Sequence, residues 1–195
     1  MKERSILFST AMVRAMLAGK KCVTRRLFKL PSGMIWDSLS GGERDGDIVA
    51  ADPSSRVWWN VHAFPCPYGV VGDRLFVREA WAYHPDFPES ARRACYRADV
   101  GAEFDVPRWR PSIHMPFWAC RLTLEISGLR VERLQDISED AAAREGAEKL
   151  CDDIFNAEPE YGTYRAGFAN LWDRINGAGS WGKNPWVWVI EFRVV

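Results

Sequence analysis

Two segments of the chain alternate strictly between apolar and polar residues, and this pattern constrains the fold more than any other. Leu122, Leu124 and Ile126 alternate with polar neighbours, and the segment 186–194 repeats the alternation with large aromatic and aliphatic side chains. A period of two is typical of a β-strand that buries one of its faces. The sequence therefore predicts a half-buried β-sheet.

Further strands and three helices are predicted from local signals. Ser9 or Thr10 can cap a first helix that ends before Gly19, and Ser138 can cap a short second helix that ends before Gly146. A third helix is predicted over 164–175, and strands are predicted over 6–8, 23–28, 74–81, 94–97, 119–132 and 186–194. These elements indicate an α+β fold that is mainly β.

Composition limits the class of protein. The chain has 195 residues, of which 47% are hydrophobic, and this is enough for one ordinary core. We therefore expect a single domain over 1–195. Because there is no apolar run of about 18 residues and no apolar region near the start, we expect a cytoplasmic protein outside the membrane. The five cysteines are scattered without a Cys-x-x-Cys pair, so we expect no disulfide framework, no metal and no other cofactor.

The charges are balanced overall but clustered locally. The 26 basic and 26 acidic residues give a net charge of zero, which argues against a binder that attracts nucleic acid over its whole surface. Basic residues gather at 20–29, 92–97 and 108–110, and acidic residues gather at 139–140, 152–153 and 158–160. Such clusters either form a positive groove or are solvated faces.

The segment 19–26, Gly-Lys-Lys-Cys-Val-Thr-Arg-Arg, brings an amine, a hydroxyl and two guanidiniums together. Cations just after a helix can simply satisfy its last carbonyl groups, and for Lys20 this structural role is about as probable as a functional one. Arg25 and Arg26 lie in a predicted strand, where guanidiniums usually meet an anion or a carboxylate. We predict that Arg25 and Arg26 bind a phosphate or another anion.

Glu79 has an unusual position in its predicted strand. Leu75, Val77 and Glu79 share one face, so a core that takes the two aliphatic side chains also takes the carboxylate. A buried carboxylate needs a cation or a raised pKa. Lys21 or Arg26 is the predicted partner, and the alternative is an ion pair with a purely structural role.

Through these residues and several others, the chain resembles the ASCH domain family of the PUA-like superfamily. The matching positions are Gly19, Lys21, Thr24 and Arg26, the Gly72-Asp73 turn with its strand to Glu79, and the aromatic strand after Asn184-Pro185. The segments 109–116 and 184–188 are similar to phage and prophage ASCH proteins of this length. The resemblance covers most of the chain and leaves 31–67 as an insertion.

The resemblance implies a PUA-like β-barrel with peripheral helices and the insertion packed as a flap. It also implies binding of a nucleoside, RNA or modified nucleic acid. Some small members of the family are amidohydrolases that remove the acetyl group of N4-acetylcytidine, and others are reported ribonucleases. The catalytic positions of the amidohydrolases correspond to Lys21, Thr24 and Glu79. Amide hydrolysis on such a nucleoside is the predicted activity, and the alternatives are non-catalytic binding of RNA or modified DNA and a ribonuclease activity that uses the same pocket. The oligomeric state is left open.

The chemistry of these three residues is coherent. The Thr24 hydroxyl becomes a useful nucleophile only when a base takes its proton, and Lys21 is that base if its pKa falls. Glu79 would orient the amine and pass a proton to the leaving group.

Aromatic residues near the basic clusters are candidates for stacking on a base. The chain has ten tryptophans, most of which are expected in the core. Trp109, Trp118, Tyr83 and Tyr96 flank loops near the basic clusters and are the predicted stacking residues. His114 is predicted to contact a phosphate, although a single histidine in a turn is more often structural.

Overall fold

The computed structural model describes residues 1–28, 47–51, 61–100, 106, 108–151 and 162–195, and only the backbone at 47–51 and 61–64. In chain order the elements are β1 (Glu3–Leu7), α1 (Thr10–Leu17), β2 (Val23–Leu27), β3 (Asp47–Ala51), β4 (Val61–Pro65), β5 (Arg74–Arg78), β6 (Trp81–Tyr83), β7 (Ala94–Tyr96), β8 (Thr123–Arg133), α2 (Glu139–Arg144), α3 (Tyr164–Asn176) and β9 (Trp186–Val194). Short 3₁₀ turns lie at Glu89–Ala91, Ser112–His114, Phe117–Ala119 and Leu134–Asp136.

Five strands form a mixed sheet in the order β1-β5-β8-β9-β2. β1 runs parallel to β5, and the other neighbours in this sheet are antiparallel. β6 pairs with β7, and β3 pairs with β4, each as a separate two-stranded antiparallel sheet. The protein is therefore an α+β protein built on an open mixed sheet.

The predicted closed β-barrel is wrong for the part of the chain that the structure describes. β1 and β2 are the two edges of the sheet, and no ladder of backbone hydrogen bonds joins them among the described residues. A side chain crosses between these edges instead, because the Arg26 guanidinium donates to the Leu7 carbonyl oxygen over 2.7 Å. Alternation predicts which face of a strand is buried, but it does not predict which edges pair.

The predicted insertion at 31–67 lies largely outside the described residues. Within it, the backbones of β3 and β4 pair with each other. The prediction that the insertion packs as a flap concerns residues outside those that the structure describes.

The sheet separates two apolar clusters. The first contains Val77, Leu124 and Ile190 together with Val13 and Met16 of α1. The second cluster contains Val23, Val187 and Val189 of the sheet together with Phe168 and Trp172 of α3. The alternating residues of β9 divide between these two clusters, which explains why this strand is apolar on both faces.

Local signals in the sequence placed the helix ends well. The Ser9 hydroxyl accepts the Met12 amide over 3.4 Å at the start of α1, and the Ser138 hydroxyl accepts the Ala141 amide over 3.2 Å at the start of α2. Both predicted caps are confirmed. α2 ends before Gly146, whose φ of 78° suits glycine better than any residue with a side chain.

Gly146 also allows a close approach between distant segments. A Cβ atom at this position would lie 2.8 Å from the Cβ of Ala15 and 3.3 Å from that of Lys21. The end of α2 can therefore lie directly against α1 and the start of β2. This contact positions the ion pair described below.

The Gly72-Asp73 turn has a structural role in this fold. The Asp73 carboxylate accepts the Lys2 amide over 2.7 Å and the Val70 amide over 3.3 Å. The hydrogen bond from Lys2 holds the pKa of Asp73 below its usual value.

None of the helices in the described ranges is both long and apolar enough to cross a membrane.

Candidate functional site

Lys21 lies two residues before β2 and is almost fully buried, with 2% of its surface exposed. Its ammonium donates to the Val23 carbonyl oxygen over 2.8 Å, to the Glu145 carbonyl oxygen over 2.8 Å, and to Glu145 Oε2 over 2.7 Å. An ammonium has three protons, and each of them has an acceptor here. The cation is therefore held in a complete set of hydrogen bonds.

Burial shifts the protonation of this group. Desolvation lowers the pKa of Lys21 below its ordinary value, and the Glu145 carboxylate opposes that shift. Arg26 and Arg25 add a smaller effect in the lowering direction. The predicted fall in the pKa of Lys21 thus has burial as its main cause.

Arg25 is buried between two carboxylates. Its Nε donates to Glu132 Oε1 over 2.8 Å, and its Nη1 donates to Glu145 Oε1 over 3.2 Å. Glu145 therefore bridges Lys21 and Arg25. Because nitrogen atoms on two edges of the guanidinium donate to carboxylates, Arg25 is an internal ion-pair residue. The predicted role of Arg25 in binding phosphate receives no support from this geometry.

The ion pairs continue across the surface of the sheet. Arg130 donates to Glu132 over 3.2 Å and to Glu191 over 2.6 Å. Arg144 lies 3.5 Å from the other oxygen of Glu191, and its Nε lies 3.4 Å from the Cys22 sulfur. The network thus runs from the buried Lys21 end to groups that solvent reaches.

Glu79 is buried as the parity of its strand predicted, with 1% of its surface exposed. Its carboxylate accepts Arg121 Nε over 2.8 Å and Arg121 Nη2 over 3.1 Å. Arg121 also contacts the Asp99 carboxylate through Nη1 over 2.6 and 2.7 Å. The predicted pairing of Glu79 with Lys21 or Arg26 is therefore wrong, because Arg121 supplies the cation.

Arg121 is held from several sides. Its guanidinium lies 3.9 Å from the centre of the Tyr96 ring. Burial acts to lower the pKa of Arg121, but the hydrogen bonds to Glu79 and Asp99 outweigh it and raise that pKa. The side chain of Arg121 is thus a fixed cation between one buried and one exposed carboxylate.

The Phe8 ring lies beside the Lys21 ammonium and the Arg26 guanidinium. Its ring centre is 5.7 Å from the Lys21 ammonium and 5.0 Å from the Arg26 guanidinium. Its amide donates to the carbonyl oxygen of Arg78, the residue before Glu79. The structure thus brings Lys21 and Arg26 together at one aromatic ring, while Glu79 is bound elsewhere.

Thr24 and Arg26 share the face of β2 opposite to Arg25. Thr24 is buried and lies across from Ile190 of β9. Burial lowers the pKa of Arg26, and its buried Nε has no acceptor among the described residues. Arg26 therefore has a donor left over within the part of the chain that the structure describes.

Tyr83 belongs to an aromatic cluster that the β6–β7 hairpin supports. Its ring is stacked against Trp118, with centroids 5.9 Å apart and planes at 28°. Trp81 is buried and meets both rings edge-on, at 5.1 Å from Tyr83 and 5.5 Å from Trp118. Arg110 lies over Tyr83 at 4.8 Å. We call Tyr83, Trp118, Trp81 and Arg110 the aromatic cluster.

The remaining two predicted site residues lie near this cluster in the chain. Trp109 is half-buried and precedes Arg110. His114 is exposed at the end of a 3₁₀ turn, and Arg78 fixes that turn by donating to the carbonyl oxygens of Ile113 and Met115. The structure thus places Trp109 beside the cluster in sequence and His114 on a rigid surface turn.

The residues that sequence reasoning missed are the acidic and basic partners. Glu145 contacts Lys21 across 124 positions, and Arg121 contacts Glu79 across 42. The alternation of Leu122, Leu124 and Ile126 places Arg121 on the opposite face, and Glu145 precedes a helix-ending glycine, but neither signal identifies a partner. Among the described residues no group of histidine, cysteine or acidic side chains is arranged to hold a metal.

The chain was compared with models of protein families, with curated proteins and with solved structures. None of these three comparisons found a match.

Proposed function

We propose that the protein binds an unpaired base of a nucleoside, RNA or modified nucleic acid at the aromatic cluster, in keeping with the ASCH proteins it resembles. The observation that carries this proposal is the stacked pair of Tyr83 and Trp118 with the Arg110 guanidinium over it. Stacking of one base on such rings contributes about 1–3 kcal/mol, and a nearby arginine adds cation-π attraction.

The surroundings of the cluster favour an anionic ligand. Arg92, Arg93, Arg97 and Arg108 are exposed in the same part of the chain, and the carboxylate that contacts Arg110 among the described residues is that of the exposed Glu89, at 3.5 Å. Phosphate groups attached to a stacked base would meet these cations.

Binding is a better description of this geometry than catalysis. Lys21 has three acceptors and Glu79 has a two-point contact with Arg121, so both groups already have a structural partner. Neither partner needs to leave for a base to stack on the aromatic cluster.

Replacing Tyr83 with alanine is expected to weaken binding of a labelled 12-nucleotide RNA or single-stranded DNA about tenfold, because one stacking surface is lost. Fluorescence anisotropy measures the dissociation constant. Tyr83→Phe keeps the ring and is the matched control, with an affinity close to that of the original protein. Equal affinities for the alanine and phenylalanine variants, or no binding by the original protein, would refute the proposal.

A second candidate is hydrolysis of an amide on an N4-acylated cytidine. It is favoured by the buried Lys21, whose pKa desolvation lowers, three residues before the buried Thr24. The Thr24 hydroxyl would attack the acyl carbonyl carbon, the cytosine amine would leave with a proton, and water would hydrolyse the resulting ester. Glu145 is the carboxylate that contacts Lys21, so here it would orient the amine in place of Glu79.

Thr24→Val is expected to abolish release of acetate from N4-acetylcytidine while leaving the fold intact, since valine has the same shape without the hydroxyl group. Thr24→Ser retains a nucleophile and is expected to keep measurable activity. Chromatography of the nucleoside product measures both rates. Activity that survives in Thr24→Val would exclude Thr24 as the nucleophile.

A further inference from the structure

A groove of about 1050 Å³ lies between α1, the segment after α2 and α3. Its walls include several residues with small or no side chains, which are Ala11, Ala15, Gly146, Ala147 and Gly167. Gly167 packs so closely that a Cβ atom would overlap the carbonyl oxygen of Glu148. The missing side chains at Gly146 and Gly167 thus let α1, α3 and the segment after α2 pack closely together along the floor of the groove.

Among the residues that the structure describes, the charges that line the groove are mostly positive. Five cations line it, namely Arg14, Lys20, Arg144, Lys149 and Arg174. Glu148 is the one acidic residue among these described lining residues. A concave surface with one sign of charge raises the local concentration of ligands of the opposite sign.

Most of these cations keep their charge available. Arg14 donates to the backbone carbonyl oxygens of Arg97, Ala98 and Val100, which orient its guanidinium without neutralising it. Lys149 lies 5.5 Å from the centre of the Tyr164 ring. Arg144 is the member that approaches a carboxylate within the described part of the chain, at 3.5 Å from Glu191. The described lining of the groove therefore carries an excess of positive charge.

Arg14 also connects the groove to the aromatic cluster. The carbonyl groups that it binds follow β7, and β7 pairs with β6, which carries Trp81 and Tyr83. The amide of Arg97 donates to the Ala80 carbonyl oxygen just before β6. One end of the groove thus adjoins the hairpin that presents the stacking rings.

We propose that this groove binds the phosphodiester backbone of a single-stranded nucleic acid, one base of which stacks on the aromatic cluster. The statement that one base stacks on the aromatic cluster rests on the proposed function. The statement that the groove binds the phosphodiester backbone rests on the charges of the groove. A single strand fits both ends, because stacking needs an unpaired base and the cations need a chain of phosphates. The assignment covers RNA and DNA, which share this backbone chemistry.

The test compares two triple variants that remove the same charge. Lys20→Gln, Lys149→Gln and Arg174→Gln together neutralise exposed cations of the groove, and Lys2→Gln, Lys183→Gln and Arg193→Gln together neutralise exposed cations elsewhere. Dissociation constants for labelled 12-nucleotide RNA and DNA strands are measured by anisotropy over a range of salt concentrations.

Each phosphate contact on a single strand contributes about 0.7 to the slope of log affinity against log salt, so the groove variant is expected to lose about 2 from that slope. The control variant is expected to keep the original slope. Equal slopes for the two triple variants would overturn the proposal, and so would equal affinity for the strand and its duplex.

Two further probes separate this proposal from the proposed function. A 12-nucleotide strand that lacks all its bases can bind only through its backbone, and an uncharged nucleoside can bind only by stacking. If Tyr83→Ala loses affinity while the groove variant does not, the groove proposal fails and the proposed function stands. If the groove variant weakens binding of the abasic strand, while Tyr83→Ala leaves the affinities for the ordinary strand and for the nucleoside unchanged, the groove proposal stands and base binding at the cluster fails. An abasic strand that does not bind the original protein overturns the groove proposal.

Discussion

Replacing Glu145 with alanine is expected to lower the free energy of unfolding by about 3–5 kcal/mol, because removing one partner of a buried ion pair leaves the other charge without compensation. Lys21 would keep its two carbonyl acceptors and Arg25 would keep Glu132. Neither of these contacts replaces the bridging carboxylate. Urea denaturation followed by circular dichroism measures the change.

Glu148→Ala is the matched control for this experiment. Glu148 lies three residues later in the chain and is exposed, so its replacement is expected to change the free energy of unfolding by less than about 0.5 kcal/mol. The double variant Lys21→Met with Glu145→Leu is expected to recover part of the loss, because apolar groups of similar volume remove both buried charges. A Glu145→Ala protein as stable as Glu148→Ala would show that the bridge between Lys21 and Arg25 does not form in solution.

Replacing Arg121 with methionine is expected to cost about 3 kcal/mol, near the lower end of the range for a broken buried pair. The carboxylate of Glu79 would remain buried without its cation. The Arg121 side chain is itself 23% exposed, so water can partly solvate the site once the guanidinium is removed. Urea denaturation again measures the difference in the free energy of unfolding.

Arg193→Met provides the comparison for Arg121. Arg193 also pairs with a carboxylate, that of Glu125 at 2.6 Å, but its side chain is 68% exposed. Surface pairs of this kind contribute about 0–1 kcal/mol, so this variant is expected to remain nearly as stable as the original protein. Adding Glu79→Gln to Arg121→Met is expected to restore part of the stability. Additive effects of the two substitutions would mean that Glu79 and Arg121 do not interact.

Features that depend on near neighbours were predictable from the sequence. The caps at Ser9 and Ser138 follow from residues three positions away. The burial of Glu79 follows from the parity of Leu75 and Val77 on the same strand. Each of these predictions uses a geometric period or a local hydrogen bond, and the structure confirms each one.

Features that depend on distant segments were not predictable in this way. Several basic residues were equally plausible partners for Glu79, and nothing in its own strand favours Arg121. Glu145 reaches Lys21 only because Gly146 lets α2 approach β2, which is a property of packing between distant elements. The closed barrel came from the family resemblance, and pairing between sheet edges depends on register that alternation does not specify.

The position of β2 at a sheet edge has a consequence for association between copies of the chain. An edge strand with unpaired backbone groups invites another strand to add to it, and charged side chains directed inward are one of the means by which proteins prevent this. The Cys22 amide donates to the Arg144 carbonyl oxygen at one end of β2, and Arg26 reaches the Leu7 carbonyl oxygen near the other. Arg26 thus occupies a backbone acceptor of β1, the opposite edge of the same sheet, and leaves one group fewer with which an added strand could pair.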